Sequence, residues 1–233
     1  KCLNSGIENV GSDGCEIRDN TFDGWGFAAV DLRGDDCVVA DNQFGPSSNS
    51  QTLYLVGATR ATVTGNVLED GSIFIDVGFA STLEDLPTLT MSGNTSAGRP
   101  IVFHKDVVGP FTVAPGAAQV FLANCSDVTI SGQELVDPYQ GIIVSHCSDV
   151  AIEDNSIAGA RYGIVLYETT QSELSGNLVT DCLTGISSRY GGDNLVASNL
   201  FAANTTPIEE YWCPTTPNTV FHNAFVGTQT LEG

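Results

Sequence analysis

The sequence predicts an all-β protein: a right-handed parallel β-helix of about ten turns with a repeat of about 22 residues. Three observations predict it. One stretch recurs, since Cys125-Ser126-Asp127-Val128-Thr129-Ile130-Ser131-Gly132-Gln133 returns 22 residues later as Cys147-Ser148-Asp149-Val150-Ala151-Ile152-Glu153-Asp154-Asn155, and the next copy closes on Gln171-Ser172-Glu173-Leu174-Ser175-Gly176-Asn177. One amide marks each copy: Asn20, Asn42, Asn66, Asn94, Gln133, Asn155, Asn177, Asn199 and Asn223, at steps of 22, 24, 28, 39, 22, 22, 22 and 24. Two apolar columns flank it. Ile17, Val39, Val63, Met91, Ile130, Ile152, Leu174, Val196 and Val220 lie three positions before; Phe22, Phe44, Leu68, Leu135, Ile157, Val179, Phe201 and Phe225 lie two after, with only Ser96 out of pattern.

The local elements follow from these columns. Val128-Thr129-Ile130-Ser131 alternates apolar and polar, the mark of a strand with one covered face. The Gly-Asn or Asp-Asn pair after it supplies a bend, because both residue types tolerate left-handed backbone. A second alternating run follows, as in Gly141-Ile142-Ile143-Val144 and Gly163-Ile164-Val165-Leu166, and Gly141, Gly163 and Gly185 repeat the spacing of 22. Each turn therefore holds two or three short strands and no long helix. Such a turn buries its apolar face only against its neighbours, so turns stack at about 4.8 Å. Stacking gives the asparagines a structural task, each amide donating to one neighbouring turn and accepting from the other. Parallel crossovers dictate the right hand.

The whole chain, 1–233, reads as one such domain, with a longer coil or an insertion at about 97–118 where the step is 39. The first residues already belong to a turn, as expected of a piece of a longer chain. The formal net charge is −20 and the only lysines are Lys1 and Lys105, which excludes nucleic acid and anionic membrane surfaces as partners. No apolar run approaches a transmembrane length, and no signal peptide is visible.

Seven cysteines leave at least one unpaired within the chain. Cys15 and Cys37, and Cys125 and Cys147, are each 22 apart, so stacking brings each pair within disulfide reach. A ladder of buried free thiols is the alternative. Cys2, Cys182 and Cys213 have no assigned partner.

Taken in order, the bend at Asp31 to Cys37 carries Asp35 and Asp36, a carboxylate pair suited to a divalent cation or to a solvated turn. Residues 45–51 are a polar loop, and Gly78 to Pro87 is a longer excursion. In 97–118 the stretch Arg99, His104, Lys105 and Asp106 is the densest mixed-charge segment, and a break in a solenoid is where binding groups tend to sit. In 134–201 the outward positions give a surface column of Ser145, Tyr167 and Arg189, with His146, Glu168 and Tyr190 beside it and Tyr139, Arg161 and Tyr162 nearby. Aromatic faces and polar groups on a flat sheet suit sugar rings. Among the glycosylation patterns Asn94-Thr95-Ser96, Asn124-Cys125-Ser126 and Asn204-Thr205-Thr206, only Asn204 is expected at the surface.

With these repeats in hand, the sequence resembles the pectate-lyase-like right-handed β-helices. Within them it is most similar to NosD-type proteins and to the carbohydrate-binding and sugar-hydrolase domains. The resemblance rests on the repeats across about 15–225 and on Ser92-Gly93-Asn94-Thr95-Ser96-Ala97-Gly98-Arg99-Pro100-Ile101 with Ala118 to Ile130. It implies the fold more than an activity, because this fold hosts lyases, hydrolases, epimerases and inert scaffolds. The Gly-His-Gly and Arg-Ile-Lys tripeptides of polygalacturonase-like hydrolases do not occur, and Asp137-Pro138-Tyr139 stands where an epimerase-like site would carry Asp-Pro-His. A copper role, implied by the NosD resemblance, calls for several His and Met; the chain has three His and one Met.

The reading that results is an extracellular or cell-surface, non-catalytic module that binds a polysaccharide or surface glycan, with Ser145, Tyr167, Arg189, Glu168 and Tyr190 as its ligand-binding set. Two alternatives stand beside it: a polysaccharide lyase or hydrolase using Arg99, His104, Lys105 and Asp106, and a self-assembling envelope component. No cofactor is expected beyond calcium, which a lyase-like site would use with Asp106 beside Arg99 or Lys105, and Asp35 and Asp36 are the candidate metal ligands.

Overall fold

The computed structural model describes residues 5–46, 51–76, 85–212 and 216–227. Cys2, Cys213, residues 47–50 of the polar loop and residues 78–84 of the excursion lie outside them. The chain forms a parallel β-solenoid in two compact units, residues 1–103 and 104–233. The one helical element among the described residues is a 3-10 turn, Leu86–Thr88. No helix among them is long and apolar enough to cross a membrane.

In the first unit, strands Glu16–Arg18, Val38–Ala40, Thr62–Thr64 and Thr90–Ser92 stack in parallel, with Ile17, Val39, Val63 and Met91 opposite one another and buried. Thr21–Phe22, Gln43–Phe44, Val67–Leu68 and Thr95–Ser96 form the next sheet, in which the Phe22 and Phe44 rings stack at 4.8 Å. Ser96, the exception in this column, donates its hydroxyl to the Gly71 carbonyl at 2.6 Å, so the buried oxygen is satisfied. Ile7–Asn9, Val30–Leu32, Gln51–Leu55 and Ser72–Ile75 make the third sheet.

The second unit repeats the scheme. One sheet runs Val108–Val113, Ser126–Ser131, Ser148–Glu153, Glu173–Ser175, Leu195–Ala197 and Thr219–Phe221. The next runs Glu134–Val136, Ser156–Ala158, Leu178–Thr180, Leu200–Ala202 and Ala224–Val226. The third contains Gln119–Ala123, Gln140–Ser145, Tyr162–Tyr167, Thr184–Arg189 and Thr206–Tyr211. The 97–118 stretch is built of ordinary strands, Arg99–Lys105 and Val108–Val113. Val113 lies opposite Ile130, so Gly116 holds in its turn the place that Gln133 holds in the next. Gln133, one methylene longer than asparagine, reaches back to donate to Ala114 O at 3.0 Å and accept from Ala117 N at 3.1 Å.

The asparagine ladder forms as the stacking argument requires. Asn42 donates to Asn66 Oδ1 at 3.0 Å and Asn66 to Asn94 Oδ1 at 2.9 Å; Asn155 donates to Asn177 and Asn177 to Asn199, at 3.0 and 2.9 Å. Each amide oxygen also takes the backbone N–H of its neighbour, and each Nδ2 donates a second time to a carbonyl, as Asn177 does to Ile152 O at 2.8 Å. No buried side-chain nitrogen or oxygen among the described residues lacks a partner.

Left-handed corners set these ladders. Twenty-one described residues other than glycine have positive φ, and ten of them are aspartates. The residue after such a corner points into the stack: Asn42 follows Asp41, Asn155 follows Asp154, Asn199 follows Ser198. Cysteines take the same place after Asp36, Asn124, His146 and Asp181. Cys15, Cys37, Cys125, Cys147 and Cys182 are free thiols, and Cys125 N–H donates to Cys147 Sγ at 3.2 Å as an asparagine neighbour would to Oδ1. This rule corrects the glycosylation expectation. Asn204 follows the left-handed Ala203, is fully buried and donates to Val179 O at 2.8 Å, whereas Asn124 is itself a left-handed corner and is exposed.

Candidate functional site

Arg99–Lys105 and, after it, each named strand of the third sheet of the second unit ends in a left-handed residue. In order these are Asp106, Asn124, His146, Glu168, Tyr190 and Trp212, with φ between 45° and 58°. Backbone bonds hold them in a row: Asp106 N donates to Ala123 O, Asn124 N to Ser145 O, His146 N to Tyr167 O and Glu168 N to Arg189 O, at 2.9–3.0 Å. A left-handed corner turns the chain inward after it and leaves its own side chain outside, so six unlike side chains form one ridge. Asn124 donates to Asp106 Oδ1 at 2.6 Å. His146 Nε2 faces Glu168 Oε2 at 3.2 Å, and its Nδ1 lies 2.7 Å from Ser145 Oγ. Both ring nitrogens are thus engaged, Nε2 by the carboxylate and Nδ1 by the serine hydroxyl. Tyr190 and Trp212 continue the ridge with rings 51% and 75% exposed.

Beside the ridge runs a groove of about 510 Å³ lined by Asp106, Asn124, His146 and Glu168, by the hydroxyl row Ser126, Ser148 and Thr170, and by Val108, Cys125 and Cys147. The hydroxyls stand in register in neighbouring turns. No lysine or arginine among the described residues lines it.

The predicted residues fall into three sets. Asp106 and Glu168, expected in two different sites, line this one groove, and Tyr190 lies on the same ridge. Ser145, Tyr167 and Arg189 are in register as expected, but they are not an open surface column. Ser145 is fully buried and Tyr167 is 7% exposed, because the Tyr167 ring packs against His146 at 5.6 Å and Tyr190 at 5.4 Å. Arg189 lies over the Tyr211 ring at 4.9 Å, faces Glu209 at 3.7 Å and donates to Ser187 Oγ, which uses its guanidinium within the sheet. The mixed-charge segment also divides. Arg99 pairs antiparallel with Ser96 at the start of its strand, while His104, Lys105 and Asp106 lie at or just past the end. His104 packs edge-on against Phe111 at 4.6 Å, and burial holds its pKa below the usual value. Strand alternation does not single out Asn124, Ser126, Ser148 and Thr170 as site residues; the spacing of 22 from Asn124 through His146, Glu168 and Tyr190 to Trp212 is the signal that marks the ridge.

Asp35 and Asp36 meet a partner from the following turn. Arg60 grips Asp36 with both Nε and Nη2 at 2.7 Å and reaches Asp35 at 3.5 Å, and Asp35 Oδ1 also accepts from Thr59 N at 3.1 Å. The pair expected to hold a cation is thus occupied by a guanidinium. Both carboxyls titrate below the usual range, Asp35 through its bonds to Thr59 and Asp36 through Arg60. A depressed folded-state pKa stabilises above the unfolded value and loses that stabilisation as pH falls through the folded one. Arg60→Gln is therefore expected to lower the urea midpoint slightly at pH 7 and to leave it unchanged near pH 2; equal loss at both pH values would show that the ion pair is not the cause.

The chain as a whole has likenesses among known proteins. Residues 104–231, more than half of the chain, match the family model described as periplasmic copper-binding protein (NosD). The chain belongs to the NosD family. No curated protein matches it. Among solved structures, the NosD chain is similar to the tailspike of E. coli bacteriophage HK620 in complex with a pentasaccharide, with 16% identity and a TM-score of 0.37 over 94% of this chain and 43% of that one. It is also similar to the enzymatically active domain of bacteriophage CBA120 tailspike protein 2, with 13% identity, a TM-score of 0.43, 92% of this chain and 35% of that one. The A-module of the Azotobacter vinelandii mannuronan C-5 epimerase AlgE4 gives 10%, 0.39, 97% and 79%. The chain thus spans less than half the length of either tailspike chain.

The family's description raises copper, and the donors of this NosD chain can be tested against it. The described residues hold no group of three or more His, Cys, Asp or Glu side chains placed to share an ion. Met91 is buried in a core column, and His104, His146 and His222 stand on separate turns, with the ring of His146 already bonded on both nitrogens. A three- or four-donor copper site does not fit these residues.

Proposed function

We propose that the groove binds a glycan outside the cytoplasm, at the cell surface or in the surrounding medium, without cleaving it. The observation that carries this reading is the ridge itself. A row of hydroxyls and two carboxylates offers hydrogen-bond partners to sugar hydroxyls, and the exposed Tyr190 and Trp212 rings offer flat faces to sugar rings. The spacing of the carboxylates argues for binding over hydrolysis. Asp106 and Glu168 are three turns apart, about 14 Å at the stacking distance, whereas a hydrolytic pair stands roughly 5–9.5 Å apart. The family's description as periplasmic supports a location beyond the cytoplasm.

The test is a panel of polysaccharides scored for both retention and cleavage, with and without calcium. Retention without cleavage, weakened at least tenfold by Trp212→Ala and by Glu168→Gln, is the expected result. Cleavage that disappears in Asp106→Asn would replace this reading with a depolymerising enzyme. Absence of both would leave assembly with other envelope proteins, or with itself, as the reading to pursue.

A further inference from the structure

The groove has two nucleophiles at its foot that glycan binding does not use. Cys125 and Cys147 occupy one position in successive turns: the paired residues Ser126 and Ser148 follow them directly, and Cys125 N–H donates to Cys147 Sγ at 3.2 Å. Neighbouring turns stack at about 4.8 Å, inside the Cα range of about 4.4–6.8 Å that a disulfide spans. The ladder itself needs no sulfur here. Thr169 fills the same position one turn on, where its hydroxyl donates to Val144 O at 3.2 Å. Both thiols are nearly covered, at 2% and 4% exposure, and both line the groove, which gives a small reagent its approach.

We propose that Cys125 and Cys147 are a redox dithiol, closed to a disulfide between adjacent turns by exchange with a low-molecular-weight disulfide. The Cys125 thiolate attacks one sulfur of the reagent RSSR, forming a Cys125–S–S–R mixed disulfide and releasing RS⁻. Cys147 gives its proton to a released thiolate and attacks the Cys125 sulfur, expelling the second RS⁻. The protein loses two electrons and two protons, and the reagent gains both as two RSH.

The two thiols differ as an attacking and a resolving cysteine should. The contact with Cys147 and the Val107 N–H outweigh burial and hold the Cys125 thiol below its usual range. Cys147 is pushed up by that same contact and by burial. Once Cys125 carries the mixed disulfide, Cys147 is the thiol beside it in the next turn, so the second step follows the first.

The experiment treats the folded, reduced chain with bis(2-hydroxyethyl) disulfide at pH 7, quenches with acid, alkylates, digests and maps the peptides by mass. The expected product is a Cys125–Cys147 linkage, lighter by two hydrogens. In Cys147→Ser, Cys125 is expected to retain one mercaptoethanol unit; in Cys125→Ser, Cys147 is expected to stay free. Recovery of both cysteines as thiols from the folded wild type, while the urea-unfolded chain reacts, overturns the proposal. So does an adduct on Cys147 in Cys125→Ser at the wild-type rate. The wild-type linkage is read without any variant, so a misfolded variant leaves the result intact.

Discussion

Asn177→Leu is expected to lower the stability of the second unit by roughly 2–6 kcal/mol, the sum of two buried donors left without acceptors at about 1–3 kcal/mol each. Leucine is close to asparagine in shape and length, so the loss is one of hydrogen bonds rather than of packing. Asn177 Oδ1 accepts both the backbone N–H and the side-chain amide of Asn155, and its own Nδ2 serves Asn199 Oδ1 and Ile152 O. No water reaches a rung that is 1% exposed to replace them. Asn20 makes the same bond to Asn42, at 3.1 Å, but is exposed, so water substitutes there. Asn20→Leu is expected to cost less than about 1 kcal/mol. Urea unfolding followed by circular dichroism measures both; equal costs would mean that the ladder is not what holds the turns in register.

Gly163→Val is expected to cost about 3 kcal/mol or more, at the upper end for forced overpacking. A Cβ on Gly163 would meet Gly185 O at 2.6 Å and Val179 Cγ1 at 3.1 Å. The first of these is backbone fixed by its own sheet, so it cannot give way. Gly141 against Gly163 O and Gly185 against Pro207 O repeat the contact at 2.5 Å. The column is glycine because successive turns approach too closely for any side chain, not because the backbone is unusual. Gly132 shows the opposite case, with φ +63° and open space where a Cβ would stand, so Gly132→Ala is expected to cost only the left-handed penalty of about 1–2 kcal/mol. A thermal or urea series on these two substitutions separates crowding from backbone strain; a larger loss at Gly132 would contradict it.

The spacing of 22 and the two apolar columns carry the strands, their register and the buried amides, because stacking copies residue types from turn to turn. The site is less legible, and particular residues show why. Alternation along a strand assigns Ser145 and Tyr167 to the surface. It takes no account of His146 and Tyr190, whose rings pack against Tyr167 from the corners of the turns on either side. Asn124 reads as interior and Asn204 as exposed, the reverse of their places in the fold, because the sequence does not state which of two adjacent residues adopts positive φ. Asp106 stands 18 residues before Asn124 rather than 22, which hides its place on the ridge. Arg60 is 24 residues from Asp36, so the partner of that acidic bend lies outside any local window.

The aspartate corners have a consequence for what acidity means in this chain. Among the described residues eleven carboxylates, ten aspartates and Glu168, stand where the main chain must turn through a left-handed conformation, a place that aspartate tolerates without glycine's loss of rigidity. Part of the charge of −20 is thus a record of bending, set at corners such as Asp41, Asp106, Asp154 and Asp181. The isoelectric point near 4.1 thus reflects how the polypeptide winds as well as what its surface faces.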